Sequence, residues 1–217
     1  MSVRIVIDVE MCKVQFKVST YPYKNEIIQI GAVKMNEAYD ILDTFSTYVK
    51  PRYGKVDRFI GTLTGISERT IKNAPDIEEA LLQMIGWIDD TEAVFYSWSS
   101  TDYFQIRNEI QLKCHENGKW AGILDQANWI DYQAKLGKRL EAANPMKLSE
   151  ALDLAEIDTE GRLHDGSDDA LNTARMIAKL EQQKDYKTLI ERIRANEKDK
   201  EPLTASLGDL FRGLKLK

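Results

Sequence analysis

The spacing of the apolar residues changes near residue 75, and this change restricts the possible folds more than any other feature of the sequence. Three earlier segments, at 3–9, 26–34 and 41–49, are rich in β-branched residues and predict strands. From Ile77 to Ile88 the apolar residues recur three and four positions apart, directly after Pro75 and Asp76, as at the start of a helix. Strands first and helices later predict an α/β domain with a mixed sheet.

The chain after residue 88 alternates short apolar runs with helical patterns. The runs at 93–98 and 129–131 predict two further strands, and helical connections allow these strands to lie parallel to the first. We therefore expect a mixed central sheet, with an antiparallel meander followed by parallel strands, flanked by helices. Helical patterns occupy residues 102–117, 132–143, 148–157 and 168–180.

The sequence divides into a domain and a C-terminal appendage. The domain is predicted at 1–184, and it holds all the predicted strands. The appendage, 185–217, is expected to contain a helix, a charged linker and a tail. The apolar residues of the tail follow the spacing of an amphipathic helix, which would either pack on the domain or bind a protein partner. They are Leu207, Leu210, Phe211 and Leu214.

Composition excludes several classes of protein. The 217 residues include 30 Lys and Arg against 35 Asp and Glu, a net charge of −5, which excludes a broadly basic protein that coats duplex nucleic acid. Two cysteines, Cys12 and Cys114, are too few for a disulfide scaffold, and Cys12 is expected to pack in the core. No apolar run approaches the roughly 18–20 residues of a membrane helix. No signal-peptide pattern precedes the first strand, so we expect a cytoplasmic protein with no membrane partner.

Acidic residues stand at three places where strands end or helices begin. Asp8 and Glu10 lie two positions apart at the end of the first strand, so both project to the same face. Asp102 follows a later strand, and His164 precedes Asp169 by five positions at the start of a late helix. Clustered carboxylates suit hard divalent cations. Each position alone also fits an ordinary strand end or helix N-terminus.

In combination, the three places resemble the motifs of the DEDDh 3′→5′ exonucleases, which belong to the RNase H-like superfamily. The resemblance covers residues 3–181. Residues 26–33 (EIIQIGAV) resemble the second strand of the family, 63–66 (LTGI) the loop that holds the terminal nucleotide, and 97–102 (SWSSTD) the middle motif. Within the family, the chain is most similar to the branch that includes the histone-mRNA exonucleases and RNA-interference suppressors.

The resemblance assigns catalytic roles to five residues. His164 would be the general base, and four carboxylates would hold two divalent cations, Mg²⁺ or Mn²⁺. These carboxylates are Asp8, Glu10, Asp102 and Asp169. Asp168 adjoins Asp169, but the spacing from His164 selects Asp169. Two such cations would bring the net charge from −5 to −1, so part of the acidity belongs to the site.

The implied substrate is a single-stranded nucleic acid, from whose 3′ end nucleoside 5′-monophosphates are released. Met11, Leu63 and Thr64 would contact it, Leu63 by apolar packing and Thr64 through its hydroxyl. A basic stretch around this segment would either contact phosphates or remain a solvated face. It comprises Lys50, Arg52, Lys55, Arg58, Arg69 and Lys72.

Neither a preference for RNA or DNA nor the physiological role can be assigned from the residues, because that preference depends on contacts to the 2′-hydroxyl. The alternatives to a free-standing exonuclease are a proofreading exonuclease beside a polymerase and a non-catalytic nucleic-acid-binding adaptor. Retention of all five catalytic residue types favours an enzyme.

Overall fold

The computed structural model describes residues 2–15, 19–89, 92–115, 118–142 and 144–182, together with residues 190, 191 and 195. The linker and tail predicted at 196–217 lie outside the described residues, as does most of the helix predicted at 185–194. The division at residue 184 and the role of the tail therefore stay predictions.

Six strands form one mixed sheet in the described part of the chain. The first three pair antiparallel, as the predicted meander requires, and β5 and β6 extend the sheet parallel to β1, in the order β3-β2-β1-β5-β6. The short β4 pairs with the far end of β1. The strands are β1 (Arg4–Val14), β2 (Asn25–Met35), β3 (Ile41–Tyr48), β4 (Gly54–Lys55), β5 (Val94–Ser97) and β6 (Trp129–Asp131).

Helices occupy most of the chain between and after the later strands, which confirms the predicted α/β class. None of the described helices combines the length and the apolar composition needed to cross a membrane. The helices are α1 (Arg58–Thr64), α2 (Glu68–Ile71), α3 (Ile77–Ile88), α4 (Ser100–Lys113), α5 (Ala121–Leu124), α6 (Tyr132–Leu140), α7 (Leu148–Leu154) and α8 (Gly166–Gln182).

The sheet separates two apolar cores, and the alternation of side chains along β1 decides which residues face each. Ile5, Ile7 and Val9 face the core formed with α3, α4 and α5. Val6 faces the other core, which α6, α7 and α8 cover. Because side chains alternate along a strand, Asp8 and Glu10 share the face of Val6 and lie on the side of α8.

Four of the described elements are not predicted by the sequence pattern, namely β4, the single-turn α5 and the two helices α1 and α2. The two helices have seven and four residues, too short to show a helical period, and they begin at the capping residues Asp57 and Ser67. The segment 63–66, predicted as a loop, is instead the end of α1 followed by its cap. Gly65 closes that helix in the left-handed conformation, with φ of 73°.

Candidate active site

Asp8 and Glu10 stand at the centre of an acidic cluster in the middle of β1, because the strand continues to Val14 and does not end at residue 9 as predicted. Their partners across the antiparallel ladder on β2 are Gly31 and Gln29. The register shifts by one residue directly after Glu10. Such bulges bend a strand and re-aim its side chains, and they are frequent beside active sites.

Asp102 reaches this cluster because β1 continues beyond the end of its parallel neighbour. β5 pairs with β1 only from Arg4 to Val6, so the later N–H groups on that edge of β1 need other acceptors. Asp102, in the first turn of α4, accepts the Val9 N–H through Oδ1 at 3.1 Å. The bond places a third carboxylate beside Asp8, and electrostatic repulsion between the two raises the pKa of Asp8.

Two glycines allow the start of α8 to lie directly on the sheet. A Cβ added to Gly31 would lie 2.1 Å from the carbonyl oxygen of Gly166, so no side chain fits between them. Gln29, which is 1% exposed, accepts the Gly166 N–H at 3.1 Å and donates to Oδ1 of Asp165 at 3.1 Å. These contacts fix the N-terminus of α8 over the acidic pair of β1.

α8 and the loop before it contribute Asp169 and His164. The N–H of His164 donates to Oδ2 of Asp169 at 2.9 Å. His164 has φ of 64°, a conformation that is uncommon for residues other than glycine and that the surrounding contacts must maintain. A ring nitrogen of the exposed His164 and carboxylate oxygens of Glu10 and Asp169 all lie within 4.8 Å of one another.

The neighbouring acid, Asp168, does a different job. Its Oδ2 accepts the N–H of Arg162 at 2.7 Å, and it lies against Gly161, whose φ is 69°. The guanidinium of Arg162 donates in turn to the carbonyl oxygens of Thr62 and Leu63, at 2.6 Å and 3.0 Å. Asp168 therefore shapes the loop that carries the histidine, and Arg162 ties that loop to the end of α1.

The donor set of the cluster fits a divalent cation. Oδ1 of Asp169 is buried and has no hydrogen-bond partner among the described residues, although a buried polar atom is costly to leave unpaired. The acidic groups around it provide the oxygen ligands that Mg²⁺ and Mn²⁺ prefer. Asp8, Glu10, Asp102 and Asp169 can therefore hold metal, with the ring of His164 beside them.

The acidity of the cluster is strongly perturbed. Burial, followed by repulsion from Asp102, Asp169 and Glu10, raises the pKa of Asp8 well above its usual range. Burial and the neighbouring acids raise the pKa of Glu10 to about 7, although Arg162 opposes the shift. Burial also raises the pKa of Asp102 to about 7, against the bond from Val9. Without a cation, these groups repel one another and retain protons near neutral pH.

We expect Mn²⁺ or Mg²⁺ to raise the melting temperature of the metal-free protein. A ligand at 100 times its Kd stabilises the folded state by about 2.7 kcal/mol, which corresponds to roughly 5–10 °C for a chain of this size. The rise should be larger at pH 8 than at pH 6, because a cation must displace protons from Glu10 and Asp102, whose pKa values are about 7. Thermal melting after EDTA treatment measures it, with NaCl of equal ionic strength as the control. An equal rise in Asp8→Asn would contradict this site.

The three predicted substrate residues lie in different surroundings. Leu63 is half-buried at the end of α1, where its carbonyl oxygen accepts a hydrogen bond from Arg162 in the loop that carries His164. Thr64 is 2% exposed, and its hydroxyl donates to the Ile60 carbonyl and accepts the Ile66 N–H. The Thr64 hydroxyl, which was predicted to bond a sugar, therefore already makes two hydrogen bonds within the protein at the end of α1. The side chain of Met11 packs against the core of α3, α4 and α5.

Phe59 is a candidate substrate residue that the sequence patterns do not single out. It lies four positions before Leu63, so the two side chains share one face of α1. Phe59 is 66% exposed, more than any other large apolar side chain among the described residues. Exposed aromatic rings in nucleic-acid-binding proteins provide surfaces on which bases stack.

A family model for exonucleases, RNase_T, matches residues 5–177. The chain belongs to this exonuclease family. Rat (Rattus norvegicus) 3′-5′ exoribonuclease 1 is 27% identical over 171 residues, which cover 73% of this chain and 47% of that protein. A PolC-type DNA polymerase III of Caldanaerobacter subterraneus subsp. tengcongensis is 51% identical over 57 residues, 26% of this chain and 4% of the polymerase.

Solved exonuclease structures share the fold. The nuclease domain of 3′hExo, described as a DEDDh family member bound to rAMP, superposes with a TM-score of 0.70 at 23% identity, covering 85% of this chain and 94% of that domain. The predicted exonuclease family is thereby confirmed, and so is the predicted α/β fold with a mixed central sheet. The chain spans about half the length of its exoribonuclease relatives, 47% of the rat protein.

Proposed function

We propose that this exonuclease removes nucleoside 5′-monophosphates from the 3′ ends of single-stranded RNA or DNA and depends on two divalent cations, Mg²⁺ or Mn²⁺. The observation that carries the proposal is the convergence of four carboxylates and one histidine at the middle of β1. Family membership supports the reaction class. The relatives named 3′-5′ exoribonuclease support the direction of cleavage.

Each catalytic group has a distinct part in the reaction. Cations held by Asp8, Glu10, Asp102 and Asp169 would supply positive charge that acidifies water and stabilises the leaving oxygen. A ring nitrogen of His164 would accept the proton of the attacking water, since an imidazole can act as a base at neutral pH. The exposure of His164 would let that proton pass on to solvent.

The backbone around His164 positions its ring for this step. Its N–H is held by Asp169, so the base and a metal ligand move together. Arg162 would act at a distance, by joining the histidine loop to the helix that carries Leu63 and Phe59. The terminal nucleotide would lie between that helix and the acidic cluster, with Leu63 against its base.

The test is mononucleotide release from 3′-labelled single-stranded 12-mers of RNA and DNA in Mn²⁺, Mg²⁺ or EDTA. We expect release only with metal, loss of release in Asp8→Ala, and a drop of roughly 10²–10⁴-fold in His164→Asn. Asparagine is chosen because it tolerates a positive φ better than alanine does. His115→Ala is the matched control, since His115 is exposed and pairs with Glu78.

Two results would overturn the proposal. Release that persists in EDTA, or that survives Asp8→Ala, would exclude the acidic cluster as the catalytic site. No release from the wild type under any condition would favour the non-catalytic adaptor.

A proofreading exonuclease beside a polymerase is the second candidate within the same reaction class. The 51% identity to a PolC-type DNA polymerase III over 57 residues favours it. The same assay separates the two, because a proofreading enzyme should prefer the DNA 12-mer and remove a mismatched 3′ nucleotide from a primer faster than a matched one.

A further inference from the structure

A basic groove lies at the far end of β1 from the acidic cluster. It has a volume of about 720 Å³, and five cationic side chains but one carboxylate, Glu68, line it. The cationic residues are Lys50, Arg52, Lys55, Arg69 and Lys72. Within the described part of the chain, none of these five forms an ion pair. The groove is therefore strongly positive, although the net charge of the whole protein is −5.

The backbone of this groove is held rigidly from below. The carboxylate of Glu26, which is fully buried, accepts the N–H groups of Arg52 at 2.9 Å and Tyr53 at 2.7 Å and also that of Gly54. The N–H of Lys50 donates to the Pro75 carbonyl at 2.8 Å. A segment fixed by buried bonds can present its cationic side chains without the entropy cost of ordering a loop.

Glu68, the one acid of the groove, makes a hydrogen bond to the backbone. Its Oε1 accepts the N–H of Val56 at 2.7 Å, directly after β4. Glu68 thus holds the segment between β4 and α1, as Glu26 holds the segment before it. Both acids support the wall of the groove rather than neutralise its cationic side chains through ion pairs.

The groove lies in line with the catalytic cluster. Lys13 of β1 pairs with Lys55, and Lys13 is three residues beyond Glu10, so the near edge of the groove is about 10 Å further along the strand. α1 spans the same interval, since it begins at Arg58, just after Lys55. At its other end, the carbonyl groups of Thr62 and Leu63 accept hydrogen bonds from Arg162 in the loop that carries His164. Leu63 and then Phe59 lie along this helix from the cluster toward the groove.

We propose that the basic groove binds the phosphate backbone of the substrate strand on the 5′ side of the nucleotide being removed. This inference rests on the proposed function, because it takes the 3′ end to lie at the acidic cluster. Contacts to phosphate oxygens, which RNA and DNA share, would hold strands of either kind. About three nucleotides would bridge the interval of about 10 Å, at the roughly 3.4 Å per nucleotide of one stacked strand.

The test compares single charge reversals on substrates of two lengths. Lys55→Glu and Lys72→Glu alter the groove, and Lys138→Glu alters an exposed lysine of α6 to give the same net charge. With a single-stranded 12-mer, we expect each groove variant to raise KM about fivefold and to leave kcat unchanged. With a dinucleotide, whose one internucleotide phosphate is the one that is cleaved, KM should match the wild type. The dependence of log KM on log salt should weaken by about 0.7 for each phosphate that a variant no longer binds.

Binding measured without cleavage separates this inference from the proposed function. Fluorescence anisotropy of a 5′-labelled 12-mer in EDTA should show weaker binding by Lys55→Glu and Lys72→Glu than by Lys138→Glu. If the wild type binds the 12-mer more tightly than both groove variants but never cleaves it, the proposed exonuclease activity is refuted and strand binding by the groove is not. Thermal melting of each variant confirms that it is folded.

Three outcomes would overturn the groove. If the groove variants cleave and bind the 12-mer as the wild type does, the groove does not bind the strand, whereas the proposed exonuclease activity is unaffected. An equal loss in Lys138→Glu would assign the effect to net charge. Displacement of the 12-mer by an equal concentration of inorganic phosphate would indicate a pocket for one anion rather than a path for a strand.

Discussion

Asp169→Asn should lower the rate of mononucleotide release by at least about 10³-fold, because a metal ligand contributes several kcal/mol to transition-state stabilisation and each 1.36 kcal/mol is tenfold in rate. Asparagine keeps the shape of the side chain, and its amide oxygen can still accept the N–H of His164. The loss would therefore come from the missing charge rather than from a displaced histidine. Single-turnover kinetics on the labelled 12-mer in Mn²⁺ measures it.

Asp168→Asn is the matched control, since it removes one negative charge from the residue that directly precedes Asp169 in the same helix. Asp168 accepts a bond from Arg162 in the loop and is not part of the group formed by Glu10, His164 and Asp169. We expect a loss of less than tenfold, through a loosened loop, and a normal dependence on Mn²⁺. If Asp168→Asn were as damaging as Asp169→Asn, the assignment of the fourth ligand would be wrong.

The melting temperatures of the two variants, in EDTA and in Mn²⁺, separate the loss of a metal ligand from unfolding. In EDTA, Asp169→Asn should melt no lower than the wild type, because it removes a carboxylate whose charged form is disfavoured by burial and, to a smaller extent, by the neighbouring acids Asp168 and Asp165. Added Mn²⁺ should raise the melting temperature of Asp168→Asn as it does that of the wild type, and raise that of Asp169→Asn less. A catalytic loss caused by unfolding would instead lower the melting temperature in EDTA.

The candidate catalytic residues could be singled out from the sequence because each occupies a position that follows a simple local rule. Asp8 and Glu10 project together since strand side chains alternate, and Asp102 begins a helix directly after a buried strand. His164, which has a left-handed backbone conformation, lies two residues before α8, and Asp169 lies in the first turn of that helix. The two are therefore only five positions apart in the chain. The family resemblance then joined three local features into one site.

The supporting contacts could not be predicted, because they join residues that are distant in the chain. Gln29 bonds Gly166, 137 positions later, and Glu26 pairs with Lys113, 87 positions later. α4 shows the same limit, since it buries the polar residues Asp102 and Glu109 and has no continuous apolar face. Apolar periodicity places that helix in the chain but cannot indicate that one end of it serves the metal site and the other an ion cluster.

That ion cluster yields the largest expected effect on stability. Lys113 lies between the carboxylates of Glu26 and Glu109, and all three side chains are at most 4% exposed. Lys113→Met keeps the apolar stem but leaves two buried carboxylates without their cation. We expect the free energy of unfolding to fall by about 3–5 kcal/mol, the usual cost of removing one partner of a buried pair. Urea denaturation measures it, and Lys138→Met, at an exposed position of α6, should change it by less than about 0.5 kcal/mol.

The pH dependence and a second substitution identify the cause of that loss. Burial raises the pKa of Glu109 although Lys113 opposes it, so without the lysine the folded protein binds this proton more tightly than the unfolded chain does. A raised folded-state pKa makes stability rise as the pH falls, so the deficit of Lys113→Met should shrink from pH 8 to pH 5. Adding Glu109→Gln should recover part of it at pH 8, since an amide oxygen can still accept the Ile27 N–H. A deficit that grows on acidification, or that Glu109→Gln deepens, would mean that packing around Lys113, rather than charge, stabilises this end of the sheet.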